Sequence, residues 1–291
     1  MKINLVEESI ASDFNKSIWT KFNRAVEEYQ LIQEGDNIAV CISGGKDSML
    51  LALCMERLRR FSGGKFSLQF LGMDPGYKWH VKSQILKNAE KLGIPLILRP
   101  TRIFESADKA GKHPCFLCSR LRRGWLYKTA SEIGCNKIAL GHHFDDVIET
   151  ILMGMLYGSQ MQTMMPKLHS ENYAGMELIR PLYLVREADI IRWGKCNHLH
   201  FIQCACGVSE TNENRGTGSK RQEIKELLAQ LRETNPAVDM NIFRSAENVN
   251  LQTLISYHIG DERHHFLDNY SEGRTIRGTI SKKPETDTNN E

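Results

Sequence analysis

Apolar and polar positions alternate along this chain in two periods, which predicts helices and strands in turn. From Asp13 to Ile32 the apolar residues recur at three- and four-residue steps, a spacing typical of an amphipathic helix. The apolar run Asn37–Ile42 then has the length of a buried strand, and Met49–Met55 indicates a helix directly after it. The alternation continues with predicted strands at 67–73, 95–98 and 137–140 and predicted helices at 80–92, 117–133 and 145–157. Elements in this order predict an α/β fold, a parallel sheet covered by helices on both faces.

The pattern becomes less regular after Pro181, and it suggests a division of the chain into four parts. Predicted there are helices at 186–196, 220–234 and 237–249 and a short strand at 200–203. We expect an N-terminal helix packed on the core (1–33), the α/β domain (34–215) and a small helical appendage (216–259). Residues 260–291 are polar and have almost nothing to bury, so we expect a disordered tail.

Composition limits the classes of protein that fit. The 291 residues are 41% apolar, enough to bury a sizeable core. No stretch approaches the roughly 18 uninterrupted apolar residues of a membrane span, and acids stand where a signal peptide would be apolar. We therefore expect a cytoplasmic protein with no membrane partner. The formal net charge of +3 permits a polyanionic partner without requiring one.

A glycine turn joins the first predicted strand to its helix. It consists of Ser43, Gly44, Gly45, Lys46, Asp47 and Ser48. Adjacent glycines let the backbone approach a phosphate, while N–H groups at the helix start, two hydroxyls and a lysine supply donors to an anion. The spacing differs from that of a Walker A loop. We call these six residues the phosphate loop and predict that they bind phosphate groups.

A second motif follows the predicted strand at 137–140. It consists of Gly141, His142, His143, Phe144, Asp145 and Asp146. Its glycine lets backbone meet a ligand, and on their own its two acids indicate no more than a helix cap. Beside the phosphate loop, the same acids are well placed to share Mg²⁺. The histidine pair is a poorer candidate for zinc, because adjacent side chains point apart.

The eight cysteines fall into two kinds. Cys41, Cys54 and Cys135 lie in or beside predicted elements and are expected to be small buried residues, whereas Cys196 stays undecided. The other four form two close pairs, Cys115 with Cys118 and Cys204 with Cys206. Three thiolates suit an iron–sulfur cluster with one open iron position. Four would suit structural zinc, and the first pair alone would suit a redox dithiol.

Two resemblances give these motifs a common interpretation. The phosphate loop resembles the PP-loop of the ATP pyrophosphatases, which cleave ATP between its α and β phosphates. The segments 114–127, 137–143, 165–168 and 179–182 resemble, in order, those of the tRNA 2-thiocytidine synthetase family, TtcA. This likeness runs from about residue 13 to about residue 250. It implies an enzyme that binds ATP and Mg²⁺, carries a 4Fe-4S cluster on three cysteines and places sulfur at C2 of a cytidine in the tRNA anticodon loop.

The resemblance also implies roles for the candidate residues around ATP. The nucleotide is expected on the phosphate loop, with Arg122 and Gly141 beside it. Mg²⁺ is expected near Asp47 or Asp146, and both acids are treated as catalytic.

The cluster is expected on Cys115 and Cys118, with a third, distant cysteine as the remaining ligand. Cys206 is favoured for that place, because the family has a Cys-Gly pair at this point. Cys204 stays an alternative, since the two distal cysteines are spaced more closely here than in the family. The three favoured cysteines are also treated as catalytic.

Basic and aromatic residues indicate where tRNA would lie. The predicted helix after the first cysteine pair carries Arg120, Arg122, Arg123 and Lys128. The basic path could continue through Lys167, Arg180, Lys220 and Arg221. Cations of this kind bind the phosphates of tRNA or of ATP, and one ring among Trp79, Phe144 and Trp193 would stack on the target base.

The predicted reaction has two steps. The O2 atom of a tRNA pyrimidine attacks the α-phosphorus of ATP, and sulfur delivered at the cluster then displaces the adenylate from C2. The expected partners are tRNA and a sulfur donor, either sulfide or a cysteine desulfurase, and the resemblance allows a homodimer. Two alternatives stay open. One is a PP-loop ligase that attaches an amine to tRNA and has a structural zinc site, and the other is a nucleotide- and cluster-binding sensor without catalysis.

Overall fold

The structure, a computed structural model, describes residues 5–101, 103–104, 114–202 and 220–272. Its centre is a six-stranded sheet with the order β3-β2-β1-β4-β6-β5. The strands are β1 (Asn37–Ile42), β2 (Ser67–Asp74), β3 (Leu96–Pro100), β4 (Lys137–Ala139), β5 (Lys167–His169) and β6 (Glu177–Ile179). All neighbouring pairs are parallel except β5 with β6, at one edge. The predicted α/β fold with a mostly parallel sheet is confirmed.

The helices that flank the sheet follow the strands in the predicted alternation. They are α1 (Leu5–Ala11), α2 (Thr20–Glu28), α3 (Lys46–Phe61), α4 (Trp79–Leu92), α5 (Pro114–Glu132), α6 (Phe144–Gly158), α7 (Glu187–Cys196), α8 (Lys220–Thr234) and α9 (Val238–Glu247). Within the described ranges, none of them has the length and hydropathy that a membrane span requires.

Alternate residues of β1 face two separate cores, which explains why the sheet needs helices on both sides. Ile38, Val40 and Ile42 belong to a large core that α3, α4 and α7 close. Ala39 and Cys41 belong to a smaller core on the other face, closed by α5. Since successive side chains of a strand point to opposite faces, a continuously apolar strand is the pattern that such a two-sided burial requires.

Several predicted elements differ from those observed. The predicted helix at 13–32 is interrupted by a π-helical turn, Asn15–Trp19, and the described part of the predicted strand at 200–203 is not a strand. The sequence analysis missed β5 and β6, because three-residue strands are too short to show a period.

The start of the predicted disordered tail was also wrong. Residues 260–272 contain strand β8 (Glu262–His265) and a 3₁₀ segment, Phe266–Glu272. Strand β8 pairs with β7 (Ser256–Ile259), and Gly260 has the positive φ of +61° that a tight hairpin loop requires. The chain separates into two compact units, Met1–Asp239 and Met240–Glu291, so α8 lies in the first unit rather than in a helical appendage. The rest of the predicted domain division stays a prediction.

A buried lysine fixes the amino-terminal edge of the sheet. The Nζ atom of Lys137 lies 2.8 Å from Asp36 Oδ2 and 3.0 Å from Glu177 Oε2, and it donates to the carbonyl of Leu31 at 3.1 Å. Only 4% of the lysine side chain is exposed. Asp36 precedes β1, while Lys137 and Glu177 begin β4 and β6, so one ammonium group aligns three neighbouring parallel strands.

We expect Lys137→Ala to lower the free energy of unfolding by about 3–5 kcal/mol, because it leaves two carboxylates in the protein without their cation. Urea unfolding followed by circular dichroism measures this loss. Arg24→Ala removes a cation from the exposed Arg24–Glu28 pair and is the control, with an expected loss below about 1 kcal/mol. Equal effects of the two substitutions would contradict the role of Lys137.

Candidate active site

The phosphate loop connects β1 to α3 and is held by its last residue. The hydroxyl of Ser48 accepts hydrogen bonds from the N–H and hydroxyl of Ser43, both at 3.2 Å, and donates to the carbonyl of Gly45 at 2.9 Å. Ser48 is 4% exposed. Its hydroxyl therefore stabilises the loop conformation, and the N–H groups at the start of α3 remain as the anion donors of this segment.

Two glycines are needed because the backbone approaches other groups too closely for a side chain. Gly44 has a φ of +88°, and a Cβ atom there would lie 2.6 Å from Ile85 Cγ1 of α4. A Cβ atom on Gly141 would lie 3.0 Å from the carbonyl carbon of Asp47 and 3.1 Å from the nitrogen of Ser48. The second motif thus packs directly on the first turn of α3, as the parallel pairing of β1 with β4 allows.

His143 connects the two motifs. His143 is the N-cap of α6. Its ring Nδ1 accepts a hydrogen bond from the backbone N–H of Asp146 at 3.3 Å, and its backbone N–H donates to Asp146 Oδ2 at 3.1 Å. The other ring nitrogen, Nε2, lies 3.8 Å from Asp47 Oδ1. His143 is 3% exposed, and these contacts hold it between Asp47 and Asp146.

The two adjacent acids of the second motif have different roles. Asp145 accepts hydrogen bonds from Arg186 and Arg232 and, at 2.7 Å, from the N–H of Glu187. Asp239 binds the same two arginines, which completes a four-residue ionic network. Asp145 therefore holds α6, α7 and α8 together, and a share of the two acids in binding Mg²⁺ stays a prediction.

A cavity of about 400 Å³ lies at the carboxyl ends of β1, β2 and β4. Predicted site residues from three elements border it: Ser43, Asp47, Ser48, Arg122, Gly141 and Asp146. Arg123 and Leu126 of α5 complete that wall. The helix that carries the first cysteine pair therefore faces the same cavity as the phosphate loop.

Lys46 does not border this cavity but turns towards α7. Its Nζ atom lies 2.9 Å from Glu187 Oε1 and 3.2 Å from Asp47. Burial alone would raise the pKa of Glu187, but the hydrogen bond and charge of Lys46 lower it to about 2. Glu187 is therefore ionised at physiological pH and holds Lys46 in place.

Asp47, in the first turn of α3, is partly buried, with 29% of its side chain exposed. Burial raises its pKa above the usual range, although Lys46 and His143 oppose the shift. Its Oδ1 atom is buried and lies 3.2 Å from Lys46 Nζ and 3.8 Å from His143 Nε2. The carboxylate therefore already faces a cation, and as a hard oxygen ligand it also suits Mg²⁺.

Arg180, predicted on the tRNA path, is buried instead. Its side chain is bound to the carbonyl of Met165, and its Nε donates to His142 Nδ1 at 3.3 Å. Burial and the charge of Arg180 lower the pKa of His142 to about 4, so this cavity-lining imidazole is neutral at pH 7. Arg180 therefore orients His142 in the wall of the cavity, and its place on the tRNA path stays a prediction.

Of the three rings considered for stacking on a base, only one is accessible. Phe144 and Trp193 are 2% and 0% exposed, whereas Trp79, at the start of α4, is 81% exposed. Lys167, also placed on the tRNA path, donates to the carbonyl of Gln30 at 3.1 Å.

The cysteines separate as predicted where the structure describes them. Cys41, Cys54 and Cys135 are buried, and burial raises the thiol pKa of all three, to about 12 for Cys41. Positions 115 and 118 are three residues apart on α5 and thus share one side of that helix. The side chain of Cys115 and all of Cys204 and Cys206 lie outside the described residues.

Sequence analysis gave no role to Glu187 or Glu149, although both hold cations of the site. Glu149, on α6, is 2% exposed and lies 3.4 Å from Arg221 Nε. Glu187 begins α7. An acid in the first turn of a helix is ordinary, so the sequence carried no signal for Glu187.

The chain is similar to known proteins over most of its length. A family model described as "PP-loop domain" matches residues 15–228. The tRNA-cytidine(32) 2-sulfurtransferase of Alcanivorax borkumensis is 38% identical over 238 residues, covering 80% of this chain and 81% of the relative. The enzyme of that name from Vibrio vulnificus is 36% identical over 272 residues, covering 90% and 84%.

A solved structure is similar in fold. The U34-tRNA thiolase NcsA from Methanococcus maripaludis, solved with its 4Fe-4S cluster, matches with a TM-score of 0.61 and 19% sequence identity. The match covers 78% of this chain and 76% of that protein.

We expect Gly141→Ala to weaken ATP binding about tenfold or more, because the new methyl group pushes the first turn of α3 and its N–H groups away from their positions. Calorimetric titration with α,β-methylene ATP, a non-cleavable analogue, measures the affinity. Gly158→Ala is the control, since the nearest atom to its Cβ is 3.8 Å away. Unchanged affinity in a folded Gly141→Ala protein would contradict the packing argument.

Proposed function

This chain belongs to the PP-loop family and, within it, to the tRNA-cytidine(32) 2-sulfurtransferases, and on that basis we propose the reaction that its site performs. It is an ATP-dependent tRNA sulfurtransferase that replaces the C2 oxygen of an anticodon-loop cytidine with sulfur. The observation that carries the proposal is the shared cavity, which the phosphate loop and the cysteine-bearing helix α5 border together. Activation of the base and delivery of sulfur both need access to one C2 carbon, and a shared cavity permits this.

The first step is adenylation of the base. The α3 N–H groups bind the phosphates of ATP, and Arg122 and Gly141 lie along the same cavity. The cytidine O2 attacks the α-phosphorus, an O–P bond forms, and the bond to the β-phosphate breaks to release pyrophosphate. In the second step a sulfur nucleophile attacks C2, the C–O bond breaks, and AMP leaves with the original oxygen.

The cysteines are proposed to hold a 4Fe-4S cluster through Cys115, Cys118 and Cys206. Cys118 is half-buried one helical turn before Arg122, and nearby guanidinium groups favour the thiolate forms that iron requires. When bound on three thiolates, the cluster supplies an open iron position that carries sulfide to the cavity. Sulfide, free or from a cysteine desulfurase, is the proposed donor, and the homodimer stays a prediction.

Mg²⁺ is proposed to bind with ATP near Asp47 and Asp146. Four carboxylates surround the site, those of Asp47, Asp146, Glu149 and Glu187. Three cations oppose them, Lys46, Arg221 and Lys225. Arg122 and Arg123 of the cavity wall add two more positive charges, so the case for Mg²⁺ rests on the carboxylate oxygens themselves and not on an excess of negative charge. Mg²⁺ typically binds through one or two carboxylates and the phosphates of its substrate, which fits these two acids.

We expect Cys118→Ala, purified without oxygen, to lose its iron and its thiolation of tRNA while its affinity for α,β-methylene ATP stays unchanged. The unaltered protein should contain about four irons and four acid-labile sulfides per chain. Cys196→Ala, which removes an exposed cysteine at the end of α7, is the control and should retain both properties. Full iron content and thiolation in Cys118→Ala would refute the proposed ligand set.

We expect Asp47→Asn to weaken binding of α,β-methylene ATP about tenfold in the presence of Mg²⁺, because a neutral amide is a poor Mg²⁺ ligand. In EDTA its affinity should equal or exceed that of the unaltered protein, since one repulsive charge is gone. Asp189→Asn, on α7 and paired with Arg192 and Lys21, is the control and should behave normally in both buffers. An equal loss in both buffers would argue that Asp47 is structural.

A further inference from the structure

Helix α8 carries two cations that contact acids beside the nucleotide cavity. Ile224 and Leu228, each 1% exposed, fix the helix on the body of the protein. The hydroxyl of Tyr157 at the end of α6 donates to Glu223 at 2.6 Å and adds a second attachment. Arg221 and Lys225 are four residues apart and therefore share one side of α8.

Both cations contact carboxylates that belong to the active site. Arg221 lies 3.4 Å from Asp146 Oδ1, the acid that borders the cavity. The Nζ atom of Lys225 lies 3.2 Å from Glu187 Oε2, while Lys46 of the phosphate loop lies 2.9 Å from the other oxygen of the same carboxylate. Glu187 therefore places a cation from the phosphate loop and a cation from α8 side by side.

Glu149 completes the anchoring of these cations. It lies 3.4 Å from Arg221 and 3.7 Å from Lys225, and burial raises its pKa above the usual range. Its Oε2 atom accepts no hydrogen bond within the described part of the chain. A buried carboxylate is costly, and here the described contacts that offset this cost are the two cations of α8. Arg221 and Lys225 nevertheless stay 43% and 40% exposed, so each has donors left for a ligand.

We propose that Arg221 and Lys225 bind the β and γ phosphates of ATP, and that Glu149 and Glu187 are positioning residues for them. Together with Lys46 they bring three cations from two distant segments into one place, which suits a ligand with several negative charges. A triphosphate is favoured over the tRNA backbone, because each α8 cation shares a carboxylate with the phosphate loop or with the cavity. The proposal rests on the proposed function and adds the group that stabilises the departing pyrophosphate.

The test compares two nucleotides that differ only in the phosphates concerned. Titration calorimetry measures the affinities for α,β-methylene ATP and for AMP in the full-length protein and in Arg221→Ala and Lys225→Met. We expect each variant to bind the triphosphate about tenfold or more weakly, because a charge-assisted contact is lost, and to bind AMP normally. Lys195→Ala removes an exposed cation from the last turn of α7 and serves as the charge-matched control. Glu187→Gln should weaken triphosphate binding as well, with normal binding of AMP.

Two further measurements separate this proposal from its alternatives. Iron content should be unchanged in every variant, since the cluster ligands are untouched. Normal triphosphate affinity with weakened tRNA binding would overturn the proposal and assign the α8 cations to tRNA. Equal losses for the triphosphate and AMP would also overturn it and indicate a purely structural role. Failure of the unaltered protein to bind the triphosphate would instead refute the proposed function itself.

Discussion

The site depends on the close approach of two backbones, Gly141 to the first turn of α3. Parallel pairing of β1 with β4 brings both segments to the carboxyl ends of the strands, and the missing side chain of Gly141 lets them touch. His143 can then cap its own helix and face Asp47 at the same time. At the amino-terminal ends of the strands, Lys137 keeps β1, β4 and β6 aligned. The geometry of the nucleotide cavity therefore follows from the alignment of the strands and the close contact at Gly141.

The acids of this region have two different roles. Asp145 and Asp239 bind arginines and hold helices together, whereas Asp47 and Asp146 border the cavity. The adjacent residues Asp145 and Asp146 thus have different roles, because successive helical positions point in different directions. Family membership and the shared cavity favour sulfur transfer over an amine ligase or a sensor without catalysis.

Much of the fold could be predicted from the sequence, because a continuously apolar strand followed by a glycine turn and a helix has few other interpretations. The roles of single polar residues could not. A serine in a glycine loop looks the same whether it binds phosphate or, like Ser48, binds the loop itself. Glu187 meets Lys46 across 141 residues of sequence, a contact that no local pattern encodes. Gly260 and Asp261 did carry a readable hairpin signal, which the polarity of the segment obscured.

Cys41 borders the cavity in which sulfur is handled, yet burial raises its thiol pKa to about 12. The thiol is therefore protonated at neutral pH. The thiolate is the form that attacks electrophiles, persulfides and oxidants. Since the Cys41 thiol lacks its reactive thiolate form, it is a poor nucleophile towards sulfur species in the cavity. Inactivation by air or by alkylating reagents would accordingly trace to other cysteines of the chain.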